Sequence, residues 1–268
     1  MSVVANPQDL LFSSWFPTFD HWKTPIATGL IYLVATSIWN QYNRKYATKT
    51  KPTAIFKFFV SIHNLALFAY SFITFINVAP VVYQSFATRP FLDAYCDAGQ
   101  QVWNSTLYYW TWLFYLSKYY EIVDTMIILL KGNTTSLLQT YHHAGAIFTM
   151  WAGFSSHAFP IWIFVTFNSF IHSLMYLYYF LTTINIRPPG KKYLTYLQIT
   201  QFLVGGSIAL SYAVTNSCER TTGQHLAQIA NCIYLVPLTY LFAQFAVKSY
   251  HRKFSASKTT DAKAKKSS

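Results

Sequence analysis

The sequence predicts an all-α, polytopic membrane protein with seven transmembrane helices, and three observations carry that expectation. Only 10% of the 268 residues are charged, against 53% hydrophobic and 19% aromatic, whereas soluble domains carry about 25% charged residues. Apolar runs recur along the chain at close to the ~20 residues that a spanning helix needs. The basic residues gather in alternate gaps between those runs, as the positive-inside rule requires of a chain that crosses repeatedly.

Taken in order, the apolar runs cover 24–42, 58–77, 106–130, 136–153, 159–182, 193–214 and 227–247. Residues 1–23 lack the continuous apolar core of a cleaved signal peptide. The first run is therefore expected to act as the anchor, with the aromatic stretch FSSWFPTF lying in the membrane interface. The third run is split by Lys118, Glu121 and Asp124, and the fourth is short and carries Gln139, His142 and His143. After the seventh comes a polar stretch ending SASKTTDAKAKKSS, a composition expected to remain disordered. The domain plan is a lumenal segment (1–23), a seven-helix membrane domain (24–247) and a basic cytosolic tail (248–268).

A lumenal N-terminus puts Arg44, Lys45, Lys49, Lys51, Lys131, Arg187, Lys191, Lys192 and the tail lysines on the cytosolic side, leaving Lys23, Arg89 and Arg220 opposite. The net charge of +12 is accounted for by this topology. Nucleic-acid binding is not expected, because the basic residues are spread over membrane-flanking loops and share no folded face. The KKSS at 265–268 resembles the di-lysine signal that returns membrane proteins to the endoplasmic reticulum. Cys96 and Cys218 fall in two lumenal loops, where an oxidising compartment permits a disulfide and two free thiols are the alternative; Cys232 lies inside the last helix. Asn104-Ser105-Thr106 is a lumenal acceptor sequon that abuts the third helix, so little or no glycan is expected there.

Polar residues inside the spans carry the functional reading. Ionisable groups within a membrane mostly face the bundle interior and mark functional sites. Lys118, Glu121 and Asp124 stand at i, i+3, i+6, along one helical face. Counting ~1.5 Å per residue from the cytosolic ends puts Asp124, His142, His172, Gln198 and Gln201 about 9 to 15 Å deep, so polar groups of four helices converge on one layer. Each has a purely structural alternative. Lys118 and Glu121 suit a buried ion pair that fixes packing, His172 a hydrogen-bonded core histidine, and Asn168, Gln198 and Gln201 interhelical glue. The adjacent pair His142–His143 is harder to read that way, because neighbouring helical residues point about 100° apart and the two rings serve different surroundings.

The motifs KYYEIVDT (118–125), NSFIHSLMYLYY (168–179) and TYLQITQ (195–201), with the histidine box QTYHH (139–143), resemble those of the ELO family of very-long-chain fatty acid elongases, membrane condensing enzymes of the endoplasmic reticulum. The box departs from the usual HxxHH at Gln139, a variant familiar among elongases of polyunsaturated acyl chains. The resemblance implies decarboxylative condensation of acyl-CoA with malonyl-CoA to a 3-ketoacyl-CoA, carbon dioxide and CoA, with six of the helices enclosing an acyl tunnel and no metal or other cofactor. It implies His142 as a nucleophile forming an acyl-imidazole, since histidine can act covalently. His143 and His172 would position the thioester and malonyl groups or stabilise the enolate. Asp124 and Glu121 would orient imidazoles, and Asn168, Gln198 and Gln201 would donate to developing oxyanions.

Lys118 and Tyr176 join the substrate-binding set, and Lys131, Lys191 and Lys192 are positioned for CoA phosphates or serve topology alone. Gln139, one turn before the histidines, is expected to position a ring. Candidate partners are the reductase, dehydratase and enoyl reductase of the elongation cycle and a second copy of the chain. Two other classes fit the sequence less well. A di-iron desaturase or hydroxylase needs many histidines, and of eight here only His63, His142, His143 and His172 lie in apolar runs. A seven-helix transporter or receptor fits the topology and leaves the polar layer unexplained.

Overall fold

In a computed structural model of the chain, residues 6–48 and 52–264 are described, and they form helices and no strand. Eight longer helices follow in order: α1 (Lys23–Tyr46), α2 (Ala54–Thr88), α3 (Tyr108–Tyr120), α4 (Ile122–Leu130), α5 (Leu137–Ser155), α6 (Trp162–Thr183), α7 (Lys191–Val214) and α8 (Thr222–Ala264). Each apolar run of the sequence is thus helical. Among the described residues, four helices are both long and apolar enough to cross a membrane: Ala54–Thr88, Phe159–Thr183, Lys191–Val214 and Thr222–Ser249. The other three segments are less uniformly apolar: α1 ends in Asn40, Gln41, Asn43, Arg44 and Lys45, α3 and α4 are divided at Glu121, and α5 opens with the glutamine and histidines.

The division at Glu121 is a tightening of the backbone, where the Asp124 N–H donates to the Glu121 carbonyl at i+3 instead of i+4. Short 3₁₀ stretches of this kind within a helix often mark functional positions. At the other end of the chain, α8 runs on to Ala264, into the tail expected to be disordered. No Gly or Pro interrupts 248–264, so nothing in the sequence stops the helix there. The KKSS motif, Lys49 and Lys51 lie outside the described residues.

The histidine helix α5 is central, packing against α1, α3 and α8, while α2 pairs with α6 along much of its length and α7 contacts α6 and α8. Polar side chains on α1 lock the start of α5. Asn40 donates to Thr135 Oγ1 and accepts from the Thr135 N–H, both at 2.8 Å, and Asn43 donates to the carbonyls of Leu129 and Asn133, also at 2.8 Å. Ser136 then caps α5 by accepting the Gln139 N–H at 3.2 Å, the usual way to satisfy a free amide of the first turn. These contacts fix the register in which Gln139, His142 and His143 are presented.

The opposite end of the bundle is closed by an aromatic core that includes Trp103, Trp112, Tyr115, Phe154 and Tyr212. The N-terminal segment plugs it. Phe16 sits 5.5 Å from Trp112, Trp112 donates to the Leu11 carbonyl, Tyr115 to that of Phe19 and Trp151 to that of Asp20. FSSWFPTF is therefore partly core, with Phe12 and Trp15 left exposed. At the same end Cys96 and Cys218 are disulfide-bonded with Cα atoms 5.3 Å apart, and Tyr95 stacks on Tyr212 at 3.9 Å. The bond closes a loop of 122 residues. Cys218→Ala is expected to melt earlier in detergent, by a loss on the order of 2–4 kcal/mol; an unchanged melting temperature contradicts a structural role for the bond.

Candidate active site

On the first two turns of α5 the two histidines turn to different neighbours. Gln139 and His143, at i and i+4, approach with Nε2 atoms 2.8 Å apart. An amide nitrogen can only donate, so His143 Nε2 accepts and its lone pair is committed. Gln139 also donates to Thr125 Oγ1 at 3.4 Å, and Thr125 bonds the Tyr32 hydroxyl at 2.8 Å. His142 instead has Nδ1 3.0 Å from the Tyr234 hydroxyl of α8. Its Nε2 has no hydrogen-bond partner among the described residues, and the ring lines a cavity.

Lys118 and Glu121 form an ion pair, Nζ to Oε1 2.6 Å, with side chains only 4% and 3% exposed. Lys118 also donates to Asn168 Oδ1 at 3.1 Å and lies 4.0 Å from the Phe114 ring centroid. Because Asn168 spends its oxygen on the lysine, its NH₂ group is left to donate elsewhere. His172 Nδ1 is 3.7 Å from Glu121 Oε1, close enough for a charge–dipole contact and beyond hydrogen-bond length.

Asp124 belongs to a second network. His63 of α2 meets its Oδ1 at 3.0 Å, and Tyr176 donates to its Oδ2 at 2.6 Å. His63 in turn contacts the Tyr120 hydroxyl at 3.2 Å. Asp124 therefore orients His63, and neither His142, His143 nor His172. The imidazole that Asp124 meets is thus on α2, outside the family motifs. His63 was visible in the sequence as a histidine within an apolar run, yet nothing local distinguished it from a packing residue.

These groups surround a cavity of about 440 Å³ whose lining comes from α2, α4, α5, α6, α7 and α8. His142, His143, His172, Asp124, Gln139, Asn168, Tyr176, Gln198, Gln201 and Lys131 all reach it. A narrow apolar cleft of about 40 Å³ adjoins it, sharing His142, Asn168, Gln201 and Phe202, and Lys118 lines this cleft. Glu121 is buried and lines neither the cavity nor the cleft. Gln201 Oε1 and Glu121 Oε2 are buried without a hydrogen-bond partner among the described residues, and Gln198 makes only a 3.5 Å contact to the Met175 sulfur. Lys191 and Lys192 are exposed at the start of α7 and do not line the cavity; charge counting does not give the direction of a side chain. Lys131 sits at the rim, where burial pushes its ammonium below the usual lysine range. Among the described residues no group of three His, Cys, Asp or Glu side chains is arranged to hold a metal ion.

The arrangement offers an imidazole with a free nitrogen, amide donors beside it and a buried ion pair behind it. Comparison with known proteins gives the family of the chain. A family model described as "ELO: GNS1/SUR4 family" matches residues 17–258. Fatty acid elongase sre1 of Dictyostelium discoideum is 30% identical over 84% of this chain and 83% of its own length. Long chain fatty acid elongase 2 of Caenorhabditis elegans is 28% identical over 97% of both chains, and very long chain fatty acid elongase 3 of Homo sapiens is 28% identical over 90% and 87%. The chain belongs to the GNS1/SUR4 (ELO) family of fatty acid elongation and is a multi-pass membrane protein.

Proposed function

We propose that this protein is the condensing enzyme of fatty acid elongation, a 3-oxoacyl-CoA synthase that joins acyl-CoA to malonyl-CoA through an acyl group carried on His142. One observation carries the reading: of the two box histidines, only His142 faces the cavity with its Nε2 uncommitted, while His143 Nε2 is held by Gln139. In the first half-reaction Nε2 attacks the thioester carbonyl. The C–S bond breaks and CoA leaves as thiolate, taking a proton from solvent. Malonyl-CoA then loses carbon dioxide to give an enolate, which attacks the acyl carbon. The C–N bond breaks, its electron pair returns to Nε2, and 3-ketoacyl-CoA is released.

The neighbouring groups have roles that follow from what they can donate. The Asn168 amide and Gln198 are donors for developing oxyanions, the kind of preorganised stabilisation that dominates acyl transfer. His172, beside Glu121, is positioned to stabilise the enolate, and Lys131 at the rim suits a CoA phosphate. The small apolar cleft is the candidate start of an acyl tunnel. At about 40 Å³ it holds only a few water-sized spheres, so a long acyl chain enters by parting Phe202, Phe164 and Leu238. The reading further takes the chain as seven membrane crossings with the N-terminus lumenal and the C-terminus cytosolic, in the endoplasmic reticulum, supported by the distribution of Lys and Arg. No metal or other cofactor is required by this chemistry.

Incubation with acyl-CoA and no malonyl-CoA is expected to release free CoA once per active subunit, because a ping-pong route includes a covalent half-reaction. His142→Ala is expected to abolish that release. Persistence of stoichiometric CoA in the variant, or none from the unaltered protein, would favour direct attack by the enolate with histidine as base.

A polyunsaturated acyl chain is the proposed substrate, and its link to the residues is Gln139. Imidazole can be protonated near neutral pH whereas the amide cannot, so Gln139 positions His143 without competing for a proton. Gln139→His should retain condensation with altered rate or acyl preference, and Gln139→Ala should lose more by leaving His143 unpaired. The measurement is the fatty acid profile of a host lacking long polyunsaturates, expressing each form. Full activity of Gln139→Ala on every acyl chain would remove the physical basis of the substrate assignment.

A further inference from the structure

We infer that Tyr234 is a positioning residue that sets the tautomer of His142, so that Nδ1 carries the proton and Nε2 is the free nucleophile. The inference rests on the reading of His142 as the acyl carrier and goes beyond it by naming what prepares the ring. A phenol has a single proton. The Tyr234 hydroxyl donates to the His142 carbonyl oxygen at 3.0 Å, and the hydroxyl oxygen itself lies 3.0 Å from His142 Nδ1. A carbonyl can only accept, so with its proton given there, the tyrosine oxygen can only accept from the ring. Nδ1 must then be the N–H, and the lone pair falls on Nε2. Tyr234 bridges backbone and side chain of one residue, which holds the ring's rotation as well as its proton.

The surrounding residues make room for this bridge. A Cβ at Gly145 would come within 2.1 Å of the Tyr234 ring, a separation no side chain sustains, so glycine is the condition for the ring to lie there. Tyr141 stacks on Tyr234 at 5.5 Å and donates to its backbone carbonyl at 3.2 Å. Three residues of α5, Tyr141, His142 and Gly145, thereby grip one residue of α8. Orientation of a nucleophilic or basic group by a third group is the general logic of activated sites. During the first half-reaction the Nδ1 proton stays on the ring, bonded to Tyr234. Acylation at Nε2 gives an acylimidazolium, and when the enolate displaces it the electron pair returns to Nε2 and the neutral ring is restored.

The test is Tyr234→Phe, which keeps the ring and its packing and removes the hydroxyl, studied in purified full-length protein. Stoichiometric CoA release from acyl-CoA should slow by about tenfold to a hundredfold, below the ~10⁴-fold of an enforced wrong tautomer in a catalytic triad, with the melting temperature and the KM for acyl-CoA little changed. Gly145→Ala, which keeps the hydroxyl on Tyr234 but displaces the ring and so breaks its bonds to His142, should slow the same step. Nitrogen-15 spectra of labelled histidine should show Nδ1 of His142 protonated in the unaltered protein. Release at the normal rate from Tyr234→Phe, or a protonated Nε2 on His142, overturns the proposal. A loss of melting temperature with no change in the release rate also overturns it, by reducing Tyr234 to packing. If His142→Ala itself still releases CoA, the failure lies in the nucleophile assignment and not in the tautomer.

Discussion

The ion pair between Lys118 and Glu121 is the constraint on which the polar layer depends. Two nearly inaccessible opposite charges are stable together and costly apart, since breaking a buried pair by removing one partner typically loses about 3–5 kcal/mol. The pair also has direction. Lys118 reaches on to Asn168 and Glu121 faces His172, so the junction of α3 and α4 is held against α6 at the depth where the box of α5 arrives. The backbone tightening, where the Asp124 N–H bonds the Glu121 carbonyl, falls at this same junction.

The protein also separates two adjacent imidazoles. One is bound to Gln139 through Nε2 and the other to Tyr234 through Nδ1. Of the two Nε2 atoms, that of His142 is left without a partner among the described residues, on a ring that lines the cavity. The 100° offset between neighbouring helical positions makes this possible, and the bracing of the 131–136 turn by Asn40 and Asn43 keeps the offset aimed. Polar residues on α1 that weaken it as an apolar span are thus used to register α5.

Much of this was legible in the sequence wherever contacts are local. The alternation of apolar runs located every long helix, and the i, i+4 relation of Gln139 to His143 follows from helical geometry alone. Lys118 and Glu121, at i, i+3, were readable as a pair before any coordinate was known. Tyr234 was not, because it lies 92 residues from His142 on another helix amid other aromatic side chains, where a tyrosine is ordinarily core. His63 escaped for the same reason, 61 residues from the carboxylate it meets. Charge counting located the lysines of α7 at one end of the bundle and could not give their direction.

Where the acyl group is carried decides between a covalent route and direct attack by the enolate. Peptide mapping by mass spectrometry, after the purified protein is mixed with acyl-CoA and quenched without malonyl-CoA, tests this directly. It should find the mass of the acyl group added to the peptide containing His142. An acyl group found on Cys232, or on no residue while condensation is active, would contradict it.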